Sequence, residues 1–391
     1  MNTYQANIYE QLMTLVETNE AFYYADRELG NQTYRLFNYR LASYTNFLEP
    51  GALECRGIMF NVTDLDNVEL ASLPMEKFFN LNENPSTMGL DLSTTEEIEL
   101  KADGSLISTY MHDIGRDWPH TEHELRLKTK GSIESDQCIA AMEYLDEDEQ
   151  DEYKIALMNM TKMGYTVNCE WCAPDNRIVL GYMEPVLTVL NVRRMSDGEY
   201  VDIFKPSAFG NPLWNSIRDH YITSVDVKAD TVPEFAAKIP DMVDIEGYVL
   251  RLKSGQRVKV KTEWYLVQHR AKDSINSDRR LYEAVLAEAT DDLRSMFHYD
   301  ELICKRIGMM EEFVAKHYNH LVDTVDTFYE TNKDLERKEY AILGQKELQK
   351  MFFGLAMSKY LGKSVNYKDF MTRHWKDYGL KDQEKEDELN D

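Results

Sequence analysis

Long apolar runs are missing. No stretch of about 18 apolar residues occurs in the 391-residue chain, so no membrane-spanning helix is expected. The first residues, MNTYQANIYEQLMTLVE, lack the basic segment and apolar core of a secretion signal. Cysteine is scarce. Cys55, Cys138, Cys169, Cys172 and Cys304 are odd in number and thinly spread, which argues against a disulfide framework and fits a reducing cytoplasm. No internal repeat is visible. Positive charge is in short supply too: 44 Lys and Arg face 69 Asp and Glu, for a net charge of −25. Such a field repels nucleic acid at long range, unless the basic residues are focused in one groove. It also serves plain solubility. What is present is a core. At 43% hydrophobic and 29% charged, the chain is no disordered polymer, and its length suits two or three domains.

The pattern of residues divides the chain. Ile8, Leu12, Leu15 and Val16 share one face of a helix over 5–18. From about 33 to 110, short apolar and aromatic runs broken by Asn, Gly, Pro and Asp predict strands. Residues 147–163 read as a helix ended by Gly164. YTVNCEW, PVLTVLNVR, IEGYVLRLK and QRVKVKT read as strands, the last two joined by a tight turn at Ser254-Gly255. Beyond about 270 the period changes. Ile303, Ile307, Met310, Val314, His317, Leu321, Val325 and Phe328 recur every three or four residues, as in a long amphipathic helix, and a second helical stretch covers 338–360. The tail, LKDQEKEDELND, is acidic and expected to fray. The resulting expectation is a mostly antiparallel β domain over 1–270 and a helical domain over 271–391.

The chemistry centres on Lys101-Ala102-Asp103-Gly104-Ser105, just after the strand-like EEIEL. A lysine amine attacks a phosphorus only when neutral, so its pKa must fall through burial or neighbouring cations. Gly104 permits a close backbone approach. The same residues also suit an exposed turn. Lys259 and Lys261 lie two apart, so a strand puts both ammoniums on one face roughly 7 Å apart, a spacing able to grip a triphosphate. A lysine-guarded edge strand has the same pattern. Glu246, in IEGYV, is placed to hold Mg²⁺ through water. Glu170, in an otherwise apolar strand, needs a partner: a ribose hydroxyl, a metal or an arginine. Cys169-x-x-Cys172 has no second pair and reads as structural. His120 and His123 read as solvated loop residues, and Asp197-Gly198 as an ordinary turn.

Taken in order, these segments resemble the motifs of covalent nucleotidyltransferases, and most closely the RNA ligase 1 family of T-even bacteriophages. The resemblance rests on Thr33-Tyr34-Arg35, Ala42-Ser43-Tyr44, LECRGIMF (53–60), PMEKFFNLNENP (74–85), KADGS (101–105), KGSI (130–133), APDNRIVL (173–180), IEGYV (245–249), KVKTEWY (259–265) and Asp291-Asp292-Leu293. These run through roughly the first three-quarters of the chain, and beyond them the similarity is one of helical character. One motif position departs: Ala102 stands where the closest relatives carry glutamate.

The resemblance implies an α+β fold, an antiparallel-sheet nucleotidyltransferase (ATP-grasp-like ligase) domain followed by an all-helical C-terminal domain. It implies that Lys101 is the nucleophile that becomes lysyl-AMP. Tyr39 lies where the family stacks an aromatic near adenine. Arg56, Lys77 and Lys130 match nucleotide and phosphate contacts, and Lys259 and Lys261 the pair that neutralises the triphosphate. Glu170, Glu246 and Tyr265 match essential positions, and Asp291 a metal-binding aspartate. The implied activity is ATP-dependent RNA ligation with Mg²⁺ or Mn²⁺. Implied partners are ATP and RNA, either single-stranded or a nicked tRNA loop. The chain is expected to be monomeric and cytoplasmic, in an infected bacterial host if phage-encoded. A DNA ligase or capping enzyme is disfavoured because helices, not an OB-fold, follow the lysine pair. A binding-only module is disfavoured by the intact Lys101, Glu246, Lys259 and Lys261.

Overall fold

Alternating apolar residues shape the first two-thirds of the chain into twelve named strands, seen in a computed structural model that describes residues 2–40, 42–115, 123–204, 212–287 and 300–380, with 290, 293 and 297 between. They are β1 (Phe22–Leu29), β2 (Gln32–Tyr39), β3 (Ile58–Asn61), β4 (Glu69–Ser72), β5 (Phe79–Asn80), β6 (Thr95–Leu100), β7 (Ser105–Asp113), β8 (His123–Lys128), β9 (Tyr165–Cys172), β10 (Val186–Arg194), β11 (Gly247–Leu252) and β12 (Arg257–Lys261). They build three four-stranded sheets, ordered β1-β2-β3-β4, β10-β9-β7-β8 and β5-β12-β11-β6. Every pairing is antiparallel except the short parallel contact of β12 with β5.

Helices cover the apolar faces. Helix α1 (Thr3–Thr18) is capped by Asn2 and Gln5 in a reciprocal capping box, and buries Ile8, Leu12 and Leu15 in a core with Phe22, Phe37 and Phe60. Helices α2 (Asp136–Leu145) and α3 (Asp151–Lys162) bury Leu145, Leu157 and Met160 with Val167 and Trp171 of β9. Each such large side chain contributes about 1.5–3 kcal/mol. Helices α4 (Pro212–Asp219) and α5 (Val232–Lys238) follow, α5 packing Val232 and Ala236 with Leu250 and Val258 of the third sheet.

The chain then becomes helical: α6 (Glu263–Asn276), α7 (Asp278–Leu286), α8 (Glu301–Asn332), α9 (Arg337–Glu347), α10 (Lys350–Tyr360) and α11 (Tyr367–Arg373). The fold is α+β, antiparallel sheets followed by an all-helical region. One compact unit spans Met1–Val267 and a second begins at Gln268. The second has its own core, in which Val314, Leu321, Val325 and Phe328 of α8 meet Tyr340 and Phe352.

Two elements differ from the sequence pattern. Residues 22–29 form a strand that the apolar pattern does not predict. Only Phe22 in β1 is buried, so alternation is weak there. The expected single helix over 338–360 is two, parted at Leu348 and Gln349. The break lets Phe352 and Phe353 fold back on the first piece, where Phe353 closes over Gly344 and the Tyr340 hydroxyl donates to the Ala356 carbonyl at 3.1 Å.

Candidate active site

The segment Lys101–Gly104 joins β6 to β7, and its geometry follows from neighbouring strands. Lys101 N–H donates to the Gly247 carbonyl at 2.9 Å, which pins the lysine beside the start of β11. Its Nζ donates to Glu246 Oε2 at 2.9 Å, while Lys261 Nζ lies 2.8 Å from Glu246 Oε1. The register pairing Gly247 with Lys261 makes this arrangement possible, and Glu246 is only 2% exposed. A Cβ on Gly247 would lie 2.0 Å from the Val260 carbonyl oxygen, at a φ of +147° that side chains avoid, so only glycine allows this approach.

Asp103 locks the loop. It is 1% exposed. Its Oδ2 accepts from the N–H groups of Val179 and Leu180 at 2.8 and 2.6 Å, and its Oδ1 from the Tyr265 hydroxyl at 2.7 Å. Its own N–H donates to the Tyr182 hydroxyl at 3.1 Å. Gly104 lies against β9: a Cβ there would meet the Trp171 carbonyl oxygen at 2.2 Å and Cys172 Sγ at 2.8 Å. Its N–H donates to Glu170 Oε1 at 3.1 Å. The partner that Glu170 needs is thus partly backbone, with Lys101 and Arg56 as its cationic neighbours.

Electrostatics correct one expectation. Burial pulls the Lys101 ammonium down, but Glu246, Glu170 and Asp103 outweigh it, so Lys101 sits above the ordinary lysine value. Lys259, by contrast, is pushed down to about 7 by burial and by the charges of Lys77, Lys101, Arg56 and Lys261. Burial also pushes Glu170 up to about 7, against the opposing pull of Lys101. Lys101 is thus an ammonium clamped to a carboxylate, and Lys259 titrates near neutrality.

A cationic wall stands beside the loop. Arg56 Nη1 is buried with no hydrogen-bond partner among the described residues. An orphaned guanidinium donor is costly unless an anion completes it. Lys77 Nζ donates to the Tyr39 hydroxyl at 3.3 Å, and Lys130 Nζ lies 5.1 Å from the centre of the Tyr39 ring. Burial raises the Tyr39 phenol, but Lys77, Arg56 and Lys130 outweigh it and leave it below the ordinary value. Lys259 Nζ lies 5.4 Å from the Phe78 ring centre. The motif residues Tyr39, Arg56, Lys77, Lys101, Lys130, Glu170, Glu246, Lys259 and Lys261 therefore form a continuous set of contacts and mutual charge effects. Tyr265 reaches the same place through Asp103. Asp291 lies outside the described residues, as does His120. Cys169 and Cys172 are buried free thiols.

Sequence reasoning misses two supports. Asp103 belongs to the Lys101 motif, but its three accepted bonds come from distant segments. Lys128 is fully buried, and its Nζ donates to the Gly57 carbonyl at 2.7 Å, next to Arg56. Burial lowers it to about 7. Its place two residues before Lys130, at the end of β8, is the one available hint.

The donor set suits a divalent ion held in part by phosphate. Mg²⁺ commonly takes one or two carboxylates, waters and phosphate oxygens. Glu246 and Glu170 face the lysine that would meet the phosphate, and Glu170 holds the Gly104 N–H through Oε1.

Residues 54–265 match the RNA ligase family, and residues 272–383 match the family described as T4 RNA ligase 1, C-terminal domain. RNA ligase 1 of bacteriophage TS2126 is 25% identical over 342 residues, 84% of this chain and 78% of that protein. A putative RNA ligase of Thermovibrio ammonificans is 22% identical over 322 residues, 80% of this chain and 79% of that one. Among solved structures, a mutant RNA ligase of Naegleria gruberi aligns with a TM-score of 0.36 and 11% identity, over 51% of this chain and 60% of that one. By its two matched domains, the chain belongs to the RNA ligase family of the T4 RNA ligase 1 type.

Proposed function

We propose that the protein joins RNA 5′-phosphate and 3′-hydroxyl ends at the expense of ATP, through lysyl-AMP on Lys101. The observation that carries this reading is the Lys101–Glu246–Lys261 chain of contacts, flanked by the unsatisfied Arg56 donor. Lys101 attacks the α-phosphorus of ATP, its Nζ loses a proton, and pyrophosphate leaves. AMP then passes to an RNA 5′-phosphate, and a 3′-hydroxyl finally displaces AMP. Positioning and charge neutralisation do most of the work in such transfers.

Glu246 is the acceptor best placed to take the Lys101 proton, because it is already bonded to that nitrogen at 2.9 Å. Arg56, Lys77, Lys259 and Lys261 would neutralise the phosphates, with Lys130 near them. Tyr39 would meet the base. Tyr265 positions the loop through Asp103. Mg²⁺ or Mn²⁺, held by Glu246 and Glu170, would supply further charge neutralisation, and Asp291 keeps the metal-binding role that the resemblance implies. In this reading residues 1–270 carry adenylylation and 271–391 choose the RNA. The expected substrate is a single strand or a broken tRNA-like loop, met by a monomer in the cytoplasm.

The test is incubation with Mg²⁺ and α-labelled ATP or GTP, alongside Lys101→Ala. A denaturation-stable label from ATP only, lost in the variant, is expected. Label from GTP would point to capping chemistry, and no label from either would favour a binding-only module.

A further inference from the structure

A cavity of about 570 Å³ opens beside the cationic wall, outside the Lys101 loop. Glu54, Glu76, Lys77, Arg193, Tyr200 and Arg257 line it. Arg257, Lys259 and Lys261 occupy alternate positions of β12 and share a partly exposed face. Steps of roughly 7 Å therefore lead from Lys261, at the Glu246–Lys101 cluster, through Lys259 to Arg257 at the cavity wall.

Arg257 lies over the Tyr200 ring, 4.0 Å from its centre, and makes no ion pair with a carboxylate among the described residues. Carboxylates also line the cavity; Glu199 is exposed, while the other three are muted. Glu54 is bound by both Arg193 guanidinium nitrogens at 2.7 and 2.8 Å, and burial together with Glu54 pushes the Glu76 carboxyl up. Asp197 is paired with Arg194. The volume falls in the small-molecule range, roughly 300–1,000 Å³, and exceeds what two phosphates need.

The proposed chemistry says what should lie there. Entering and leaving groups stand roughly in line at phosphorus. Lys101 enters opposite pyrophosphate, so the RNA 5′-phosphate that later displaces Lys101 must enter from the side pyrophosphate left. That side is marked by Lys259 and Lys261. We propose that this cavity seats the 5′-terminal nucleotide of the RNA strand that receives AMP, with Arg257 contacting its phosphate backbone and Glu76 its sugar hydroxyls. The inference rests on the ligation reading. In the step it serves, an RNA 5′-phosphate oxygen bonds to the α-phosphorus of lysyl-AMP. The phosphorus–Nζ bond breaks, and Lys101 Nζ takes up a proton.

The experiment isolates that step. Lysyl-AMP protein is purified and mixed with 5′-phosphorylated RNA, and formation of adenylylated RNA is followed in a single turnover as RNA concentration varies. Arg257→Ala should raise the concentration for half-maximal transfer by about tenfold, as expected for one lost charge-assisted contact. That loss should exceed any change in label uptake from ATP, and Arg257→Lys should recover part of it. Ser254→Trp, at the exposed rim, should obstruct the cavity and produce the same selective loss without touching the core. Wild-type RNA dependence in both variants, with lysyl-AMP forming normally, would overturn the seat. An unaltered protein that takes no label from ATP would overturn the ligation reading, and this seat with it.

Discussion

At the scale of single residues, the site is organised by which amine carries a proton. Lys101 rests as an ammonium because Glu246, Glu170 and Asp103 together outweigh its burial, whereas Lys259 is surrounded by cations and burial and sits at about 7. A bound triphosphate should reverse the second effect, since opposite charge favours the protonated form. Binding of a non-cleavable α,β-methylene ATP analogue at pH 8 should therefore take up close to one proton. Uptake should shrink towards pH 6, where Lys259 is already charged, and disappear in Lys259→Met. Calorimetry in buffers of different ionisation enthalpy reads this directly. Equal uptake in the variant would remove Lys259 from the triphosphate grip. Lys259 and Lys261 are legible in the chain because their spacing matches strand geometry, and Lys101 and Glu246 because their motifs resemble those of the family. The direction of each pKa shift is not, because it depends on neighbours 145 positions away and further.

At the scale of elements, the Lys101–Gly104 loop is held by its seams. The β6–β7 connection touches β9 through Gly104, the 179–180 segment through Asp103, and α6 through Tyr265. Gly104→Ala would drive a methyl group into the Trp171 carbonyl, so the loop must shift. Lysyl-AMP formation should be lost while the circular dichroism of the sheets persists. Tyr265→Phe removes one bond to a buried carboxylate, a loss of about 1–3 kcal/mol. It should slow label uptake by at least about tenfold, and an unchanged rate would show that Asp103 holds the loop without it. Long periodic elements are readable beforehand: α1, α3, α8 and the β11–β12 hairpin all follow apolar spacing. The edge strand β1 and the break between α9 and α10 are not, because their cause is what packs on them.

At the scale of the whole molecule, net charge and binding chemistry pull in opposite directions. The chain carries −25, yet Arg56, Lys77, Lys130, Lys259 and Lys261 gather around Tyr39 and Lys101. Local focusing, not net charge, sets the potential an anion meets. If adenylylation belongs to the first 270 residues, truncation after about residue 275 should leave label uptake from ATP measurable and abolish or retarget RNA joining. Asp291 lies beyond that cut, so Asp291→Ala in the full chain is the companion measurement. Loss of uptake in both would assign Asp291 to the first chemical step, and loss in the truncation alone would make the helical region necessary for it.

The sequence by itself determined the family and the order of its motifs, the KADGS segment around Lys101 included, because these depend on residue type and short spacing. It also determined the change from strand to helix period near residue 270. Only the tertiary structure decided that Lys101 rests in an ion pair, that Asp103 and Lys128 brace the site, and that a cavity continues past Arg257. Each of these arises where segments far apart in the chain come into contact, and burial there sets charge, which no local pattern of residues records.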